Sequence, residues 1–407
     1  MFSLTAKKIT AHLLPNQRTS RNVSSIIFAI FLSVSLLRFN FPGHISVSIF
    51  LLVIGLFCLI YFLVRSNIKI LLLLFLLIFS CISVAYLNNN QFRIVQHLGF
   101  TLMCYGIALL MLKGKVKAWA AKGPLYITCI YFLLCILFGI NPNDAVFASR
   151  NTISMMLLVC AVSYYFLSRD GKNLFPAILT FYLSMWATGR AGIIASGILV
   201  VGLAFYQYKA GGPQKFQNLG IFIVTLTTLV YFLLFPYLNA NNFIFFNAQI
   251  SDINQFILKI PAFENYNYKY INKIGTSGRL EIWENYINHI HLKEFFIGIN
   301  IYEMPWEEGR AYMFNTHNSF IALHSRLGIT GVFLLIFLIF LTFFYFYRGE
   351  IINSLLLVVI LFRWSFDEGL FFESWDFIVY YLIIRFCTFH NMKTRRIFPN
   401  SAKLSRF

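Results

Sequence analysis

Charged side chains are scarce in this 407-residue sequence. Asp, Glu, Lys and Arg make up 12% of it, whereas soluble domains average about 25%. No acidic residue occurs before Asp144. Hydrophobic residues make up 59%, the mean hydropathy is +0.71, and apolar segments are spread from one end of the chain to the other. These values exclude a soluble globular protein, a disordered chain and a single anchored domain, and they predict a polytopic membrane protein.

Cysteines are absent from the long polar segments. This placement excludes a disulfide-stapled secreted scaffold and gives no pattern of metal-binding cysteines. All seven lie inside or at the ends of apolar segments, at Cys58, Cys81, Cys104, Cys129, Cys135, Cys160 and Cys387.

Apolar segments long enough to cross a bilayer recur along the whole chain. A crossing helix needs about 20 mostly apolar residues. The predicted fold is therefore an all-α integral membrane protein, with about twelve transmembrane helices and one large external loop that contains short helices. The candidate spans are 22–40, 46–65, 69–88, 95–113, 123–140, 151–168, 173–188, 190–208, 217–237, 318–347, 351–364 and 369–388. The segments around 173–208 and 351–388 are too short to fix their boundaries.

Basic residues indicate how the chain is oriented. If the N-terminus is cytoplasmic, 21 of the 33 Lys and Arg residues fall in cytoplasmic segments, and only five fall in the short loops on the other side. Because Lys and Arg accumulate in cytoplasmic loops, this distribution predicts that both termini are cytoplasmic. It also explains the net charge of +18 by topology and by attraction to anionic lipid, so no nucleic-acid partner is expected.

The predicted chain divides into four parts. Transmembrane helices 1–9 occupy residues 1–237, a large periplasmic loop 238–316, transmembrane helices 10–12 residues 317–388, and a basic cytoplasmic tail 389–407. The loop holds eight of the 15 acidic residues. It is too short for an ordinary independent domain, so we expect it to pack on the membrane helices as a lid.

One segment of this loop has helical periodicity. The sequence 275–278 (Gly-Thr-Ser-Gly) is a turn and helix-cap signal, and residues 279–291 follow it with helical spacing. Arg279, Trp283 and Tyr286 share one face of that helix. The helix either lies on the membrane surface or presents Arg279 beside stacking aromatics to a substrate.

Arginines on the predicted outer side are the second unusual feature. Arg150 and Arg190 open helices there, and an ionisable residue at membrane depth is a functional hypothesis by default. The alternative is that each extends from a helix end to the interface. Arg363 is interpreted as a structural ion pair with Asp367 and Glu368. Most Lys and Arg residues fall on the predicted cytoplasmic side. Cations that are kept on the outer side therefore indicate an anionic partner.

The loop ends in a segment with two histidines. His317, Ile321 and His324 would share one helical face. No acidic residue stands at the spacing that a zinc-binding helix pair requires, so the sequence predicts neither a metal site nor a cofactor.

Several short motifs, taken in order, resemble the bacterial O-antigen polymerase and O-antigen ligase superfamily. Its members are polytopic glycosyltransferases with one large periplasmic loop late in the chain. The proline that members often carry before the Gly-x-Asn segment is missing, since residues 293–295 are Lys-Glu-Phe here. The resemblance covers residues 186–335 in detail and the remainder only in hydropathy. The matching motifs are Thr188-Gly189-Arg190-Ala191, Ser277-x-Arg279-x-x-x-Trp283, Gly298-x-Asn300-x-Tyr302, His317-Asn318-x-Phe320 and Leu327-Gly328.

The resemblance implies transfer of a glycan from an undecaprenyl-pyrophosphate carrier to an acceptor hydroxyl, at the periplasmic face of the bacterial inner membrane. Arg190 and Arg279 would stabilise the negative charge that develops on the pyrophosphate, in place of a divalent metal. His317 would accept the proton of the acceptor hydroxyl, and Glu281 or Glu303 is the alternative base. The residues expected to contact the substrate are Arg150, Trp283, Tyr286, Asn318 and Glu281.

Three activities fit this pattern. An O-antigen polymerase would join lipid-linked repeat units, in partnership with a chain-length regulator and a flippase. An O-antigen ligase would instead transfer the glycan to lipid A–core. A polysaccharide-lipid flippase or transporter would move the carrier lipid without lengthening its glycan. The residues that fill the motifs favour the polymerase. Transport is disfavoured because the charges lie at the ends of the spans and the two halves of the sequence do not repeat each other.

Overall fold

The computed structural model describes residues 17–40, 44–63, 66, 68–87, 91–146, 150–169, 171–210, 220–221, 223–226, 279–299, 318–366 and 373–388. These residues are helical or lie in turns between helices, and none of them forms a strand. The helices are α1 (Gln17–Asn40), α2 (Ile45–Leu63), α3 (Ile68–Leu87), α4 (Gln91–Lys113), α5 (Trp119–Leu137), α6 (Arg150–Ser168), α7 (Phe175–Trp186), α8 (Arg190–Ala210), α9 (Arg279–Asn288), α10 (Leu292–Ile297), α11 (Ser319–Leu327), α12 (Ile329–Tyr347), α13 (Ile351–Trp364) and α14 (Phe377–Thr388).

Apolar helices dominate the described part of the chain. Four of them are shorter than a full crossing, namely Ile70–Ser80, Phe175–Trp186, Ile351–Trp364 and Phe377–Thr388. The protein is therefore an all-α chain with the helices of a membrane protein, and the total of about twelve spans stays a prediction. Within the described residues, six helices are long and apolar enough to cross a membrane: Ser20–Asn40, Ile45–Leu63, Trp119–Leu137, Asn151–Ser168, Ala191–Tyr208 and Ile329–Tyr347.

The predicted span 318–347 is two helices rather than one. Helix α11 ends at Leu327, and Gly328 has a φ of 55° before α12 begins. Only glycine adopts this left-handed conformation without strain. A Cβ at Gly328 would also collide with the backbone oxygen of Phe296. The prediction of a single helix was wrong because hydropathy alone does not register a break in backbone conformation.

Helices α2 and α4 form a close pair. The backbone oxygen of Gly55 occupies the space where a Cβ at Gly106 would stand, and a Cβ at Gly55 would lie 2.5 Å from the Cα of Met103. Small residues at helix contacts allow such close backbone approach in membrane proteins. Helix α4 also packs on α3 and on α14, which is near the C-terminal end of the sequence. The α2–α4 contact therefore helps to position helices that are far apart in the sequence.

Polar contacts identify one end of the bundle, which we call the basic end. The Lys113 ammonium donates to the Ser66 hydroxyl at 2.7 Å. The guanidinium of Arg385 donates to both carboxylate oxygens of Glu350, at 3.0 and 2.9 Å, and so ties α14 to the turn between α12 and α13. The described basic residues that define this end are Lys113, Lys117, Arg169, Arg348 and Arg385.

The opposite end of the bundle has its own polar contacts. The Arg38 guanidinium forms an ion pair with Glu373 at 3.1 Å, and Arg363 donates to the backbone oxygen of Asn151 at 3.4 Å. Helices α1, α6 and α13 each run from the basic end to this opposite end. The residues named in the two sets are therefore separated by the length of a helix.

We expect Gly106→Ala to lower the free energy of unfolding by about 1–3 kcal/mol, because overpacking a close contact forces backbone shifts. The thermal unfolding midpoint in detergent measures the effect. Gly123→Ala is the matched control, since Gly123 lies in α5 with nothing within 4 Å of its added Cβ. Equal midpoints for the two variants would contradict the close α2–α4 contact.

Candidate functional site

Three helix ends meet at the opposite end of the bundle. Helices α6 and α8 begin there at Arg150 and Arg190, and α13 ends there beside Arg363. The Arg363 guanidinium donates to the backbone oxygen of Asn151, and a Cβ at Gly189 would lie 2.9 Å from the Asn151 amide oxygen. The backbone positions of Arg150 and Arg190 are thus brought together, and Arg363 lies beside them.

A strained turn makes this arrangement possible. Helix α7 ends at Trp186, and Thr188 has a φ of 56° while its N–H donates to the backbone oxygen of Met185 at 2.9 Å. A positive φ at a β-branched residue is a true conformational outlier, and such strain clusters at functional sites. The sharp turn allows α8 to start at Arg190 directly beside the start of α6.

Close packing holds the first turns of α6 and α8 together. The Ser154 side chain occupies the space where a Cβ at Gly192 would stand, so no larger residue fits there without movement. Each helix N-terminus carries a partial positive charge from its unpaired N–H groups. Two adjacent N-termini, with the buried Arg363 beside them, form an environment that favours an anion.

A small apolar cavity with a volume of about 20 Å³ has Arg363 in its lining. Arg363 itself is 2% exposed. The cavity has room for about one water molecule. The cavity is lined by Met155, Leu158, Val159, Val162, Ile360, Arg363, Trp364, Trp375 and Ile378.

A second group of contacts joins the loop to the membrane helices. We call α9, α10 and residues 298–299 the loop module. The Tyr286 hydroxyl in α9 lies 2.7 Å from Nδ1 of His324 in α11, and Nε2 of the same imidazole lies 3.0 Å from the backbone oxygen of Phe295 in α10. His324 therefore contacts both helices of the loop module at once.

Backbone contacts complete the docking of the loop module. Gly298 has a φ of 80°, and a Cβ there would collide with the backbone oxygen of His324. The Ser325 hydroxyl donates to the backbone oxygen of Ile299 at 2.7 Å. The structure explains why glycine stands at positions 298 and 328, which belong to two of the sequence motifs. Each lies where the backbone of the loop module closely approaches the backbone of α11 or of the α11–α12 junction.

Burial determines the protonation states of His324 and Tyr286, which lie outside the membrane-spanning helices. It lowers the pKa of His324 below the ordinary value of 6.5, although the hydrogen bond to the Phe295 carbonyl acts in the other direction. It also raises the pKa of Tyr286. The phenol therefore stays protonated and donates its hydrogen bond to a neutral imidazole.

The predicted loop residues have different surroundings. Helix α9 begins at Arg279, as the periodicity predicted. Trp283 in this helix is half-buried, whereas Tyr286 is 2% exposed. Asn318 caps α11, and its amide oxygen accepts hydrogen bonds from the N–H groups of residues 320 and 321, at 2.8 and 3.3 Å.

The remaining predicted site residues fall into two groups, those whose backbone the structure describes and those outside the described residues. Arg150, Arg190, Arg279 and Glu281 are placed by their backbone, while their side chains lie outside the described part of the structure. His317 and Glu303 lie outside the described residues. A single cavity containing Arg190, Arg279 and His317 therefore stays a prediction.

Sequence reasoning missed the role of His324. Its pairing of Arg363 with Asp367 and Glu368 stays a prediction because these two residues lie outside the described part of the structure, and Arg363 also donates to the backbone oxygen of Asn151. His324 was placed only on a shared face with His317. A histidine that shares a helix face with the apolar Ile321 is the signal that could have indicated its role, because a buried polar group requires a partner.

Among the described residues, no group of three or more His, Cys, Asp or Glu side chains could hold a metal ion.

In comparisons with known proteins, no family model, no curated protein and no solved structure matches this chain.

We expect Asn318→Ala to lower the free energy of unfolding by about 1 kcal/mol, because it removes the N-cap of α11. Asn318→Asp keeps an oxygen at the same position and should retain most of the stability. The thermal midpoint, together with hydrogen exchange of the amides of residues 320 and 321, measures both variants. If Asp destabilises as strongly as Ala, the capping contact is wrong.

Proposed function

We propose that this protein is an O-antigen polymerase: a metal-independent glycosyltransferase of the bacterial inner membrane. It would join undecaprenyl-pyrophosphate-linked oligosaccharide repeat units at the periplasmic face. The observation that carries the proposal is the meeting of two arginine-bearing helix starts, at residues 150 and 190, with the buried Arg363. The sequence resemblance supplies the substrate class.

The charge distribution supports the proposed orientation. Lys113, Arg169 and Arg385 lie at the basic end, and the positive-inside rule favours a cytoplasmic position for such an end. Positions 150, 190 and 363, which carry the three arginines of the opposite end, then lie on the periplasmic side. Lipid-linked repeat units that have already crossed the membrane would reach the site from that side.

Charge stabilisation is the main chemical task of the proposed reaction. The bond between the anomeric carbon and the pyrophosphate oxygen breaks, and negative charge grows on the pyrophosphate. Guanidinium groups stabilise that charge by bidentate hydrogen bonds and do not lose their own proton. Arg190 and Arg279 would contact the pyrophosphate, with Arg150 beside them and Arg363 at the cavity. The N-termini of α6 and α8 add positive potential.

The acceptor hydroxyl loses a proton as its oxygen attacks the anomeric carbon. His317 is the proposed base because it directly precedes Asn318, whose capping contacts fix the start of α11. Glu281 and Glu303 are the alternative bases. His324 is unsuited to this role, since both of its ring nitrogens are already engaged. The products are the lengthened glycan and the free polyprenyl pyrophosphate.

The lipid of the proposed donor would stay in the bilayer and pass between helices, which leaves its pyrophosphate at the opposite end. The cavity beside Arg363 is too small to hold a polyprenyl chain, because its volume of about 20 Å³ is roughly the space of one water molecule.

A deletion strain tests the proposed activity. We expect its lipopolysaccharide, resolved on a gel, to show cores that carry a single repeat unit, because ligation continues when polymerisation is lost. Bare cores, with glycan accumulating on the lipid carrier, would identify a ligase instead. An unchanged ladder of long chains would remove both assignments.

Variants of the proposed catalytic residues should abolish chain formation while the protein still accumulates in the membrane. Removing one group that stabilises transition-state charge typically lowers the rate by roughly 100–1,000-fold, so Arg190→Ala and Arg279→Ala should give no ladder. His317→Ala should do the same through loss of the base. Arg279→Lys should also be poor, because an ammonium lacks the planar fork.

Arg348→Ala is the matched control for these variants. Arg348 lies at the basic end, with its guanidinium carbon 5.3 Å from the centre of the Phe344 ring. Its loss removes one positive charge far from the arginines of the opposite end. A normal ladder is expected. Full activity of His317→Ala would eliminate His317 as the base.

A further inference from the structure

We propose that His324 is a positioning residue: its neutral imidazole holds the loop module on α11, and protonation of that imidazole releases the module. The inference extends the proposed function, because the loop module carries Arg279 while α11 follows His317. Release would separate the two halves of the site and make glycan transfer sensitive to acid. The docking itself does not depend on which reaction the site performs.

The partners of the imidazole fix its tautomer. A backbone carbonyl only accepts hydrogen bonds, so Nε2 of His324 must carry the hydrogen that points to the oxygen of Phe295. Nδ1 then accepts the hydroxyl hydrogen of Tyr286 at 2.7 Å. In this arrangement a neutral imidazole donates from one nitrogen and accepts at the other, which matches both partners.

A second proton on His324 conflicts with this arrangement. It would sit on Nδ1 and point at the Tyr286 hydroxyl, whose hydrogen would then have to turn away. That hydroxyl also receives a hydrogen bond from the backbone of Ile299. The side chain of His324 is buried, so an imidazolium there would pay a large desolvation penalty.

The described side chains offer a protonated His324 little electrostatic compensation. Among the described side chains, Tyr286 is the titratable group that contacts the imidazole, and no carboxylate there forms an ion pair with it. The titratable and charged groups on the elements packed around it are Arg326 on α11; Arg279, Glu281, Glu284, Tyr286 and His289 on α9; His291, Lys293 and Glu294 at α10; Lys69 and Tyr86 on α3; and Tyr345 and Tyr347 on α12.

The direction of the pH effect follows from proton linkage. Burial holds the pKa of His324 below 6.5 while the loop module is docked, and the pKa returns towards 6.5 on release. The released state therefore binds the proton more readily. Docking keeps its full stability above about pH 6.5 and loses it as the pH falls from there towards the lowered pKa.

Hydrogen exchange of the full chain tests this directly. The protein is reconstituted in vesicles of phosphatidylethanolamine and phosphatidylglycerol, and exchange of peptides from 279–299 is measured at pH 7.5 and 5.5 with correction for intrinsic rates. We expect protection to fall several-fold at pH 5.5, with an upper limit of about tenfold, because the released imidazole with its ordinary pKa of 6.5 takes up a proton that the docked imidazole resists. Unchanged protection would overturn the proposal.

Two variants and one control sharpen the result. His324→Gln retains an amide that can donate to the Phe295 oxygen but cannot titrate, so its protection should be equal at both pH values. Tyr286→Phe removes the donated hydroxyl and should lower protection already at pH 7.5. His289→Gln is the control, because the described hydrogen bond of its ring is to the backbone oxygen of Asn285 in its own helix, and it should behave as wild type.

The outcomes separate this inference from the proposed function. If His324→Gln keeps the wild-type pH dependence, the positioning role is refuted. If this variant is too unstable to purify, Tyr286→Phe decides: protection equal to that of wild type at pH 7.5 refutes the role. Glycan lengthening from a lipid-linked donor is followed in the same vesicles. Loss of protection at acidic pH, with no lengthening at any pH, would retain the docking role and reject the polymerase.

Discussion

The cost of removing charge from water governs this molecule. A chain that is 59% hydrophobic and 12% charged places its ionisable groups at helix ends or in contact with a polar partner. Arg385 meets both oxygens of Glu350, Arg38 meets Glu373, and Arg363 meets a backbone carbonyl. Buried charge is tolerated only when it is paired and hydrogen-bonded. Polar chemistry is thereby restricted to the two ends of the bundle, and a candidate site has to be sought there.

Breaks between helices decide which polar groups meet at those ends. The strained turn at Thr188 starts α8 beside α6, and the left-handed Gly328 separates α11 from the span that follows it. Without the second break, α11 would continue the line of α12 and carry His324 away from Tyr286. The candidate site therefore depends on the backbone conformation at these two positions as well as on the arginines.

Hydropathy and periodicity predicted several helices, but they predicted neither the break at Gly328 nor the contacts between helices. The starts of α8 at Arg190 and of α9 at Arg279 were predicted correctly, and the ends of α2 were predicted to within two residues. The break at Gly328 was not predicted, because an apolar segment looks continuous whatever its φ angles are. The hydrogen bond between Tyr286 and His324 joins residues 38 positions apart, and nothing local in the sequence specifies such a pair.

In the proposed mechanism, the two histidines near the end of the loop divide two tasks that one side chain cannot perform together. A general base needs a nitrogen free to accept the proton of a substrate. A residue that holds two helices in place needs both nitrogens engaged, as those of His324 are. Seven positions separate His317 from His324, so they are close enough for the position of one to constrain the other. If His317 is the base, its orientation depends on α11, and α11 is held to the loop module by His324.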